Sequence, residues 1–383
     1  MARFDLIIVG GSFAGLACAR TAALRGLKVA VIDSKPEPGA RLRTTGILVK
    51  EATDDCDLPA HLMRKVPGAR LYAPDGRSLD LHAPGYFFHA TDTAGLLRWM
   101  ADEAGRAGAR LYYGCKFDGA TADNYGVSWP GFSAGFLIGA DGARSRVAEW
   151  FELGRNRRFL VGTEIECGPL AAMDPRFLHC FADSQIAPGY IGWVVPGLGM
   201  TQIGVAATRG RRPDMAALVD RLSRMWRLDT LDVGARRSGL IPTGGPVAPL
   251  GRGRVLLIGD AAGIVSPVTG GGIHTALHFG RRAAQLVGDY LFDRGPHPLA
   301  VFAREIPRYR LKLAMRALLD AAIPNVAINA LLMTRPMREL AQRVYFHRRG
   351  GDAQSFDAWT RRVEAGDFAP LPPDIANTKL RCI

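Results

Sequence analysis

The stretch Phe4-Asp5-Leu6-Ile7-Ile8-Val9-Gly10-Gly11-Ser12-Phe13-Ala14-Gly15 decides the fold. Its first six residues form a short, almost continuous apolar run, the pattern of a strand buried on both faces. Glycines follow at once, then a segment of helical period from Leu16 to Leu24. Gly26 stands where a helix C-cap is expected, and a second strand, Lys28 to Ile32, ends on Asp33. The acid falls 23 residues after Gly10, which completes a βαβ unit of the dinucleotide-binding kind. Gly10 permits the tight turn off the strand, and Gly15 lets the helix approach the sheet. The unpaired N–H groups and positive dipole end of the helix start suit a pyrophosphate. Asp33 is placed to accept hydrogen bonds from a ribose diol. Ser12 replaces the usual middle glycine; it is small enough for the same approach, and its hydroxyl adds a donor. This unit alone does not separate NAD from FAD.

Two later segments decide between them. Phe136 to Gly139 reads as another buried strand, leading into Ala140-Asp141-Gly142-Ala143-Arg144-Ser145. Arg254 to Ile258 reads as a strand entering Gly259-Asp260-Ala261-Ala262-Gly263. After Ile264 to Val268 come Thr269-Gly270-Gly271-Gly272 and a helical segment from Ile273 to Leu291. A carboxylate directly after a buried strand sits at the carboxyl edge of the sheet, where open α/β folds bind ligands. Asp260 can hold ribityl hydroxyls there. The glycine triplet before a helix makes a second anion site, suited to the charge that develops on a flavin ring during reduction. FAD is therefore the expected cofactor.

"GGSFAG" with Asp33, "GADGARSR" and "GDAAGIVSPVTGGGI" together resemble the FAD-dependent para-hydroxybenzoate-hydroxylase superfamily, and within it the geranylgeranyl reductase family. "GYIGWVVP" (residues 189–196) and "IPTGGP" (residues 241–246) point the same way. The resemblance implies that Gly10, Ser12 and Gly15, with Phe13 and Ala14 between them, hold the ADP half of FAD together with Asp33 and Ser34. It places Asp260 at the ribityl and pyrophosphate region. Pro267, Gly270, Gly271, Gly272 and Ile273 would lie along the isoalloxazine. Asp141 and Gly142 match a motif tied to FAD and nicotinamide handling, and Tyr190 and Trp193 would line a prenyl cavity. There is no second glycine fingerprint, so NAD(P)H is expected as a transient reductant. Two departures stand out: Thr44-Thr45-Gly46 occupies the place where some prenyl reductases carry a cysteine, and the Tyr190-Ile191-Gly192-Trp193 spacing is one residue longer than usual.

The fold class expected is α/β: a Rossmann-like FAD-binding domain with an inserted antiparallel β-sheet substrate domain and a C-terminal helical region. The boundaries read as 1–50, 90–160 and 245–295 for the first, 51–89 and 161–244 for the second, and 296–383 for the third. Helical spacing runs over 94–107, a strand over 109–114, and alternating patterns such as Thr163 to Cys167 and Met200 to Val205 suggest the inserted sheet.

Composition bounds the rest. With 48% apolar and 22% charged residues over 383 positions, the chain can bury a large core, which excludes disordered and collagen-like classes. The net charge of +13 favours anionic partners. From Arg304 to Arg362, 12 Lys+Arg stand against 5 Asp+Glu, interleaved with Leu318, Leu319, Ile323, Val326, Ile328, Leu331, Leu332 and Met333. This reads either as a peripheral membrane contact or as a packed helical cap with a solvated basic face. No nucleic-acid module accompanies the charge. The six cysteines lack metal or disulfide spacing, and Cys382 is second from the end, not in a prenylation box. His274 and His278 lie one turn apart without a third ligand, so no metal is expected. Asp5 spoils a signal peptide, and the uncharged run Ala321 to Thr334 is too short to span a bilayer. A cytoplasmic protein, possible at a membrane surface, is the expectation. Two chemistries remain open: hydride delivery to an isoprenoid double bond, or flavin-dependent hydroxylation of an aromatic or polyprenyl substrate.

Overall fold

The N-terminal apolar run becomes the central strand of a parallel sheet. In the computed structural model, which describes residues 2–228, 231–321, 323–346 and 356–365, Ala2–Val9 lies between Phe132–Gly139 and Val29–Asp33. Arg110–Tyr113 extends this sheet parallel on one side and Val255–Leu257 on the other. Leu6, Ile7, Ile8, Phe136, Leu137 and Ile138 are buried, as a strand covered on both faces requires. Short antiparallel strands at Thr121–Ala122, Val127–Trp129 and Gly251–Arg252 complete eight.

The helix Phe13–Leu24 begins three residues earlier than its periodicity suggested. Its first turn, Phe13-Ala14-Gly15, is buried, so no polar face marks the start. The helix gives way at Arg25, and Gly26 follows at φ +88°, the left-handed conformation that closes a helix. The long helix Ile273–Leu291 runs over the residues its pattern gave. It approaches the first helix so closely that a Cβ on Gly280 would lie 2.4 Å from the Ala14 carbonyl oxygen.

The chain divides into two compact units. The first holds Met1–Leu42, Thr93–Phe159 and Ile241–Leu313, and contains the parallel sheet. The second holds Arg43–Asp92, Leu160–Leu240 and the chain from Ala314 onward. The C-terminal helices, expected as a region of their own, are thus shared between the two units.

The second unit is built on a seven-stranded sheet in the order Val233–Pro242, Phe159–Cys167, Thr201–Thr208, Gly192–Pro196, Phe177–Phe181, Gly68–Tyr72, Ser78–His82. From Phe159–Cys167 onward neighbouring strands run antiparallel, except Phe177–Phe181 and Gly68–Tyr72, which are parallel. Alternation sorts its side chains onto two faces. Ile165, Phe181, Val194, Ile203 and Val205 pack with Leu218 and Leu222 on one. Ala69, Leu71, Leu178, Cys180 and Val195 pack with Phe88, Leu332 and Phe346 on the other. A three-stranded antiparallel sheet, Ile47–Val49, Phe88–Thr91 and Met63–Val66, adds its apolar side to that second cluster. Cys382 and the other residues after 365 lie outside the described part.

Candidate functional site

In the first unit, four separated sequence motifs meet. Gly10 sits at φ +112°, where a Cβ would collide with the Ala140 carbonyl oxygen at 2.2 Å, so the first glycine turn abuts the Ala140-Asp141-Gly142 loop. A Cβ on Gly15 would lie 1.8 Å from the Gly10 carbonyl oxygen, which fixes the helix against the strand end. One on Gly259 would reach the Ala14 Cβ at 2.8 Å, bringing the Asp260 turn to the first helical turn. One on Gly272 would come within 3.3 Å of Asp260 Oδ1, so the glycine triplet faces the same carboxylate.

The local chemistry follows from these approaches. Ser12 is the N-cap of the first helix but makes no side-chain capping bond. Its hydroxyl and the first-turn N–H groups, which have no acceptor within the helix, are left for a ligand. The long helix starts likewise on Gly272 without a side-chain cap, and Gly271 is exposed. The preceding loop is held by its own backbone: the Gly270 N–H donates to the Ser266 carbonyl at 2.9 Å, and the Ser266 N–H to that of Gly271 at 3.0 Å. Pro267 is buried beneath this loop, and Ile273 opens the helix half-buried. Asp33 closes the opposite end. Its carboxylate accepts from the Gly11 N–H at 2.6 Å and the Lys35 N–H at 2.8 Å, while Ser34 is exposed beside it. Burial pushes the half-buried Asp260 carboxyl up to about 6. A cradle of glycines, free helix-start amides and two carboxylates fits a dinucleotide.

The Asp141 carboxylate is engaged by its own loop. Its Oδ1 accepts from the Ser145 hydroxyl at 2.6 Å, and its Oδ2 from the Arg146 and Val147 N–H groups at 2.6 and 3.1 Å. The carboxylate caps the short helix Arg146–Trp150 and so sets the shape of the loop on which Gly10 rests.

Two residues here escaped sequence reading. Asn156 Nδ2 donates to the carbonyls of Ala143 at 3.1 Å and Asp260 at 2.8 Å, bridging two motifs. Tyr113 pairs in register with Asp33, its ring lies beside Gly11, and its buried hydroxyl has no partner. Burial and the Asp33 charge push that phenol up to about 12. Neither residue belongs to a glycine or acid pattern, so neither carried a signal.

Tyr190 and Trp193 lie in the second unit, their rings edge to face with centroids 6.4 Å apart. Trp193 lies flat on the sheet: a Cβ on its cross-strand partner Gly204 would strike the indole at 2.2 Å. The indole N–H donates to Glu164 Oε2 at 2.9 Å, and the Thr45 hydroxyl donates to the same oxygen at 2.5 Å. Arg237 Nε donates to Glu164 Oε1 at 2.6 Å and its Nη2 also pairs with Glu166 at 2.8 Å. Glu164 is only 4% exposed, a buried carboxylate fully occupied in holding the aromatic wall. Thr45, at the place of the cysteine, is one of its anchors.

His274 and His278 have ring centroids 6.4 Å apart, and no group of three or more His, Cys, Asp or Glu side chains gathers at metal-binding range among the described residues.

Residues 3–285 match the FAD binding domain family, which makes the protein an FAD-dependent oxidoreductase. The chain is 30% identical over 316 residues to geranylgeranyl diphosphate reductase of Rhodobacter capsulatus, covering 78% of each chain. It is 29% identical over 313 residues to digeranylgeranylglycerophospholipid reductase of Methanothrix thermoacetophila, covering 75% of this chain and 78% of that one. The fold superposes on a geranylgeranyl bacteriochlorophyll reductase-like protein from Thermoplasma acidophilum with a TM-score of 0.79, at 20% identity, over 95% of this chain and 99% of that one. The protein belongs to the geranylgeranyl reductase family.

Proposed function

We propose that the protein reduces carbon–carbon double bonds of an isoprenoid chain, with NAD(P)H as the transient electron donor. The observation that carries this reading is the meeting of four dispersed motifs in one ligand cradle, in a chain of this family. FAD bound there would supply hydride to one carbon of the double bond. Ser12 and the amides of Phe13, Ala14 and Gly15 would hold the pyrophosphate, with Gly10 leaving room for it. Asp33, Ser34 and Tyr113 would hold the adenosine ribose. Asp260 would accept from ribityl hydroxyls, and Asn156 keeps its turn in place. Pro267, Gly270, Gly271, Gly272 and Ile273 present backbone without bulk to the ring. Tyr190 and Trp193 form an apolar wall that excludes water from the substrate chain, fixed by Glu164.

The lipophilic substrate is met at a membrane surface. The helix Asn325–Leu331 has no buried residue. It is fastened by Asn325, bonded to Ser184 and Asp183 at 2.8 Å, and by Asn329, which accepts from the Asp75 N–H at 3.1 Å. Its polar side faces the protein, and Val326 is 80% exposed, with Leu318 and Leu331 also outward. Arg335 and Arg338 follow directly. No helix among the described residues is long and apolar enough to cross a membrane. Apolar side chains beside arginines suit the surface of an anionic bilayer instead.

The test is the absorption spectrum of purified protein, then anaerobic turnover with chemically reduced flavin and a geranylgeranyl substrate. The expected products gain two hydrogens per double bond, and Asp260→Ala loses flavin on gel filtration. A protein that refuses added FAD, or a product formed only with oxygen and carrying a new hydroxyl, overturns the reading.

A further inference from the structure

The helix Arg310–Asp320 inverts the usual sorting of side chains. It leaves Leu318 65% exposed and buries Arg316, which is 0% exposed. The guanidinium is held from two sides. Its Nε donates to Asp320 Oδ1 at 3.0 Å and its Nη2 pairs with the same oxygen at 2.8 Å, while Nη2 also donates to the Gly189 carbonyl. Asp320 Oδ1 accepts in addition from the Thr208 hydroxyl at 2.7 Å. Nη1 finds no hydrogen-bond partner among the described residues. An aliphatic side chain would fill such a place at lower cost, so packing does not account for an arginine there.

The pair closes on the turn that leads into the aromatic wall. Gly189 stands at φ +78°, and a Cβ on it would lie 2.3 Å from Thr208 Oγ1, so the turn rests directly against that hydroxyl. The Thr208 N–H donates to the Pro188 carbonyl at 3.0 Å. The peptide plane shared by Gly189 and Tyr190 is gripped on both edges: Arg316 takes its carbonyl, and its N–H donates to the Ala187 carbonyl at 3.0 Å. Tyr190 therefore leaves the turn in a fixed direction, towards the edge-to-face contact with Trp193. The guanidinium is also felt at the phenol, since burial pushes the Tyr190 hydroxyl up and the Arg316 charge works against that. Glu164 fixes Trp193 from the sheet; Arg316 and Asp320 fix the approach to Tyr190 from a helix. All of these residues belong to the second unit.

We propose that Arg316 and Asp320 are positioning residues for the substrate wall: by gripping the Gly189 carbonyl and the Thr208 hydroxyl they set the Tyr190 ring beside Trp193, and so govern how tightly an isoprenoid chain is held. The inference rests on the reading above that Tyr190 and Trp193 face the substrate, and adds the device that orients one of them. Both residues act through Tyr190. Removing the guanidinium frees the Gly189 carbonyl, and the peptide plane that carries Tyr190 can then turn.

The experiment compares flavin-bound wild type with Arg316→Met and, should that variant fail to fold, with Asp320→Asn. Hydrogen exchange at the Tyr190 amide is expected to run about tenfold faster in Arg316→Met, with that of Ile203, mid-strand, unchanged. The KM for geranylgeranyl diphosphate should rise about tenfold, more than kcat falls, as one lost charge-assisted contact implies, while FAD content stays at the wild-type level. Asp320→Asn should move exchange and KM the same way by about threefold. Tyr190→Ala should raise KM alike, and adding Arg316→Met to it should raise KM no further, because both act through one ring. Additive KM effects, or unaltered Tyr190 exchange, overturn the proposal; so does faster exchange with an unchanged KM. A wild type that binds FAD but leaves geranylgeranyl diphosphate unreduced overturns the isoprenoid reading instead, and the Tyr190 exchange then decides alone whether the pair grips the turn.

Discussion

His179 is 1% exposed, and its Nδ1 accepts from the Tyr72 hydroxyl while its Nε2 donates to the Asp174 carbonyl, both at 2.9 Å. Burial holds its pKa down at about 4. The folded protein therefore carries it neutral, whereas the unfolded chain takes up a proton near pH 6.5. Stability is intact above pH 6.5 and falls as the pH drops from there towards 4, by about 3 kcal/mol at most. Urea titrations across this window should show a smaller loss in His179→Asn than in wild type; parallel curves would refute the assignment. Residues of this kind mark the limit of sequence reading. Gly10, Asp33 and Asp260 were legible because a turn or a strand end admits few alternatives. Glu164 was not, because alternation puts it with Glu166 opposite Ile165, the ordinary pattern of a solvated face. Only a partner far along the chain, Arg237, makes its burial tolerable.

At the scale of elements, the two helices that build the cradle meet through backbone. Alanine normally stabilises a helix interior over glycine by about 1 kcal/mol. At Gly280 that gain is reversed, since the added methyl would sit 2.4 Å from the Ala14 carbonyl oxygen. Gly280→Ala is expected to cost about 1–3 kcal/mol and to release flavin faster, read by thermal unfolding and by fluorescence of liberated FAD. An unchanged or higher melting temperature would show that the helices part without penalty. The long helix was fully legible, since a glycine triplet marks its start and an amphipathic period carries it to Leu291. The start of the first helix was not. Its residues from Phe13 to Ala19 are all buried and display no stripe, and its first turn looks like more of the glycine loop.

For the whole molecule, the net charge of +13 and the outward side chains of Leu318, Val326 and Leu331 together predict where the protein works. Co-sedimentation with vesicles containing phosphatidylglycerol should exceed that with neutral vesicles and fall with added salt. Val326→Glu together with Leu331→Glu should weaken it severalfold, and equal binding by this variant would remove the helix Asn325–Leu331 from the contact. Sequence alone left this region poised between a membrane contact and a packed cap. The composition is the same in both; Asn325 and Asn329 fasten the helix by hydrogen bonds and Leu332 at its end packs into the core, while Val326 and Leu331 stay outward.

The carboxamide of Asn156 reaches the carbonyls of Ala143 and Asp260, positions more than a hundred apart in the chain. One side chain thereby clasps two distant loops together. Opening either would strain the other, so Asn156→Ala is expected to hasten loss of the coenzyme, read by the fluorescence of liberated FAD.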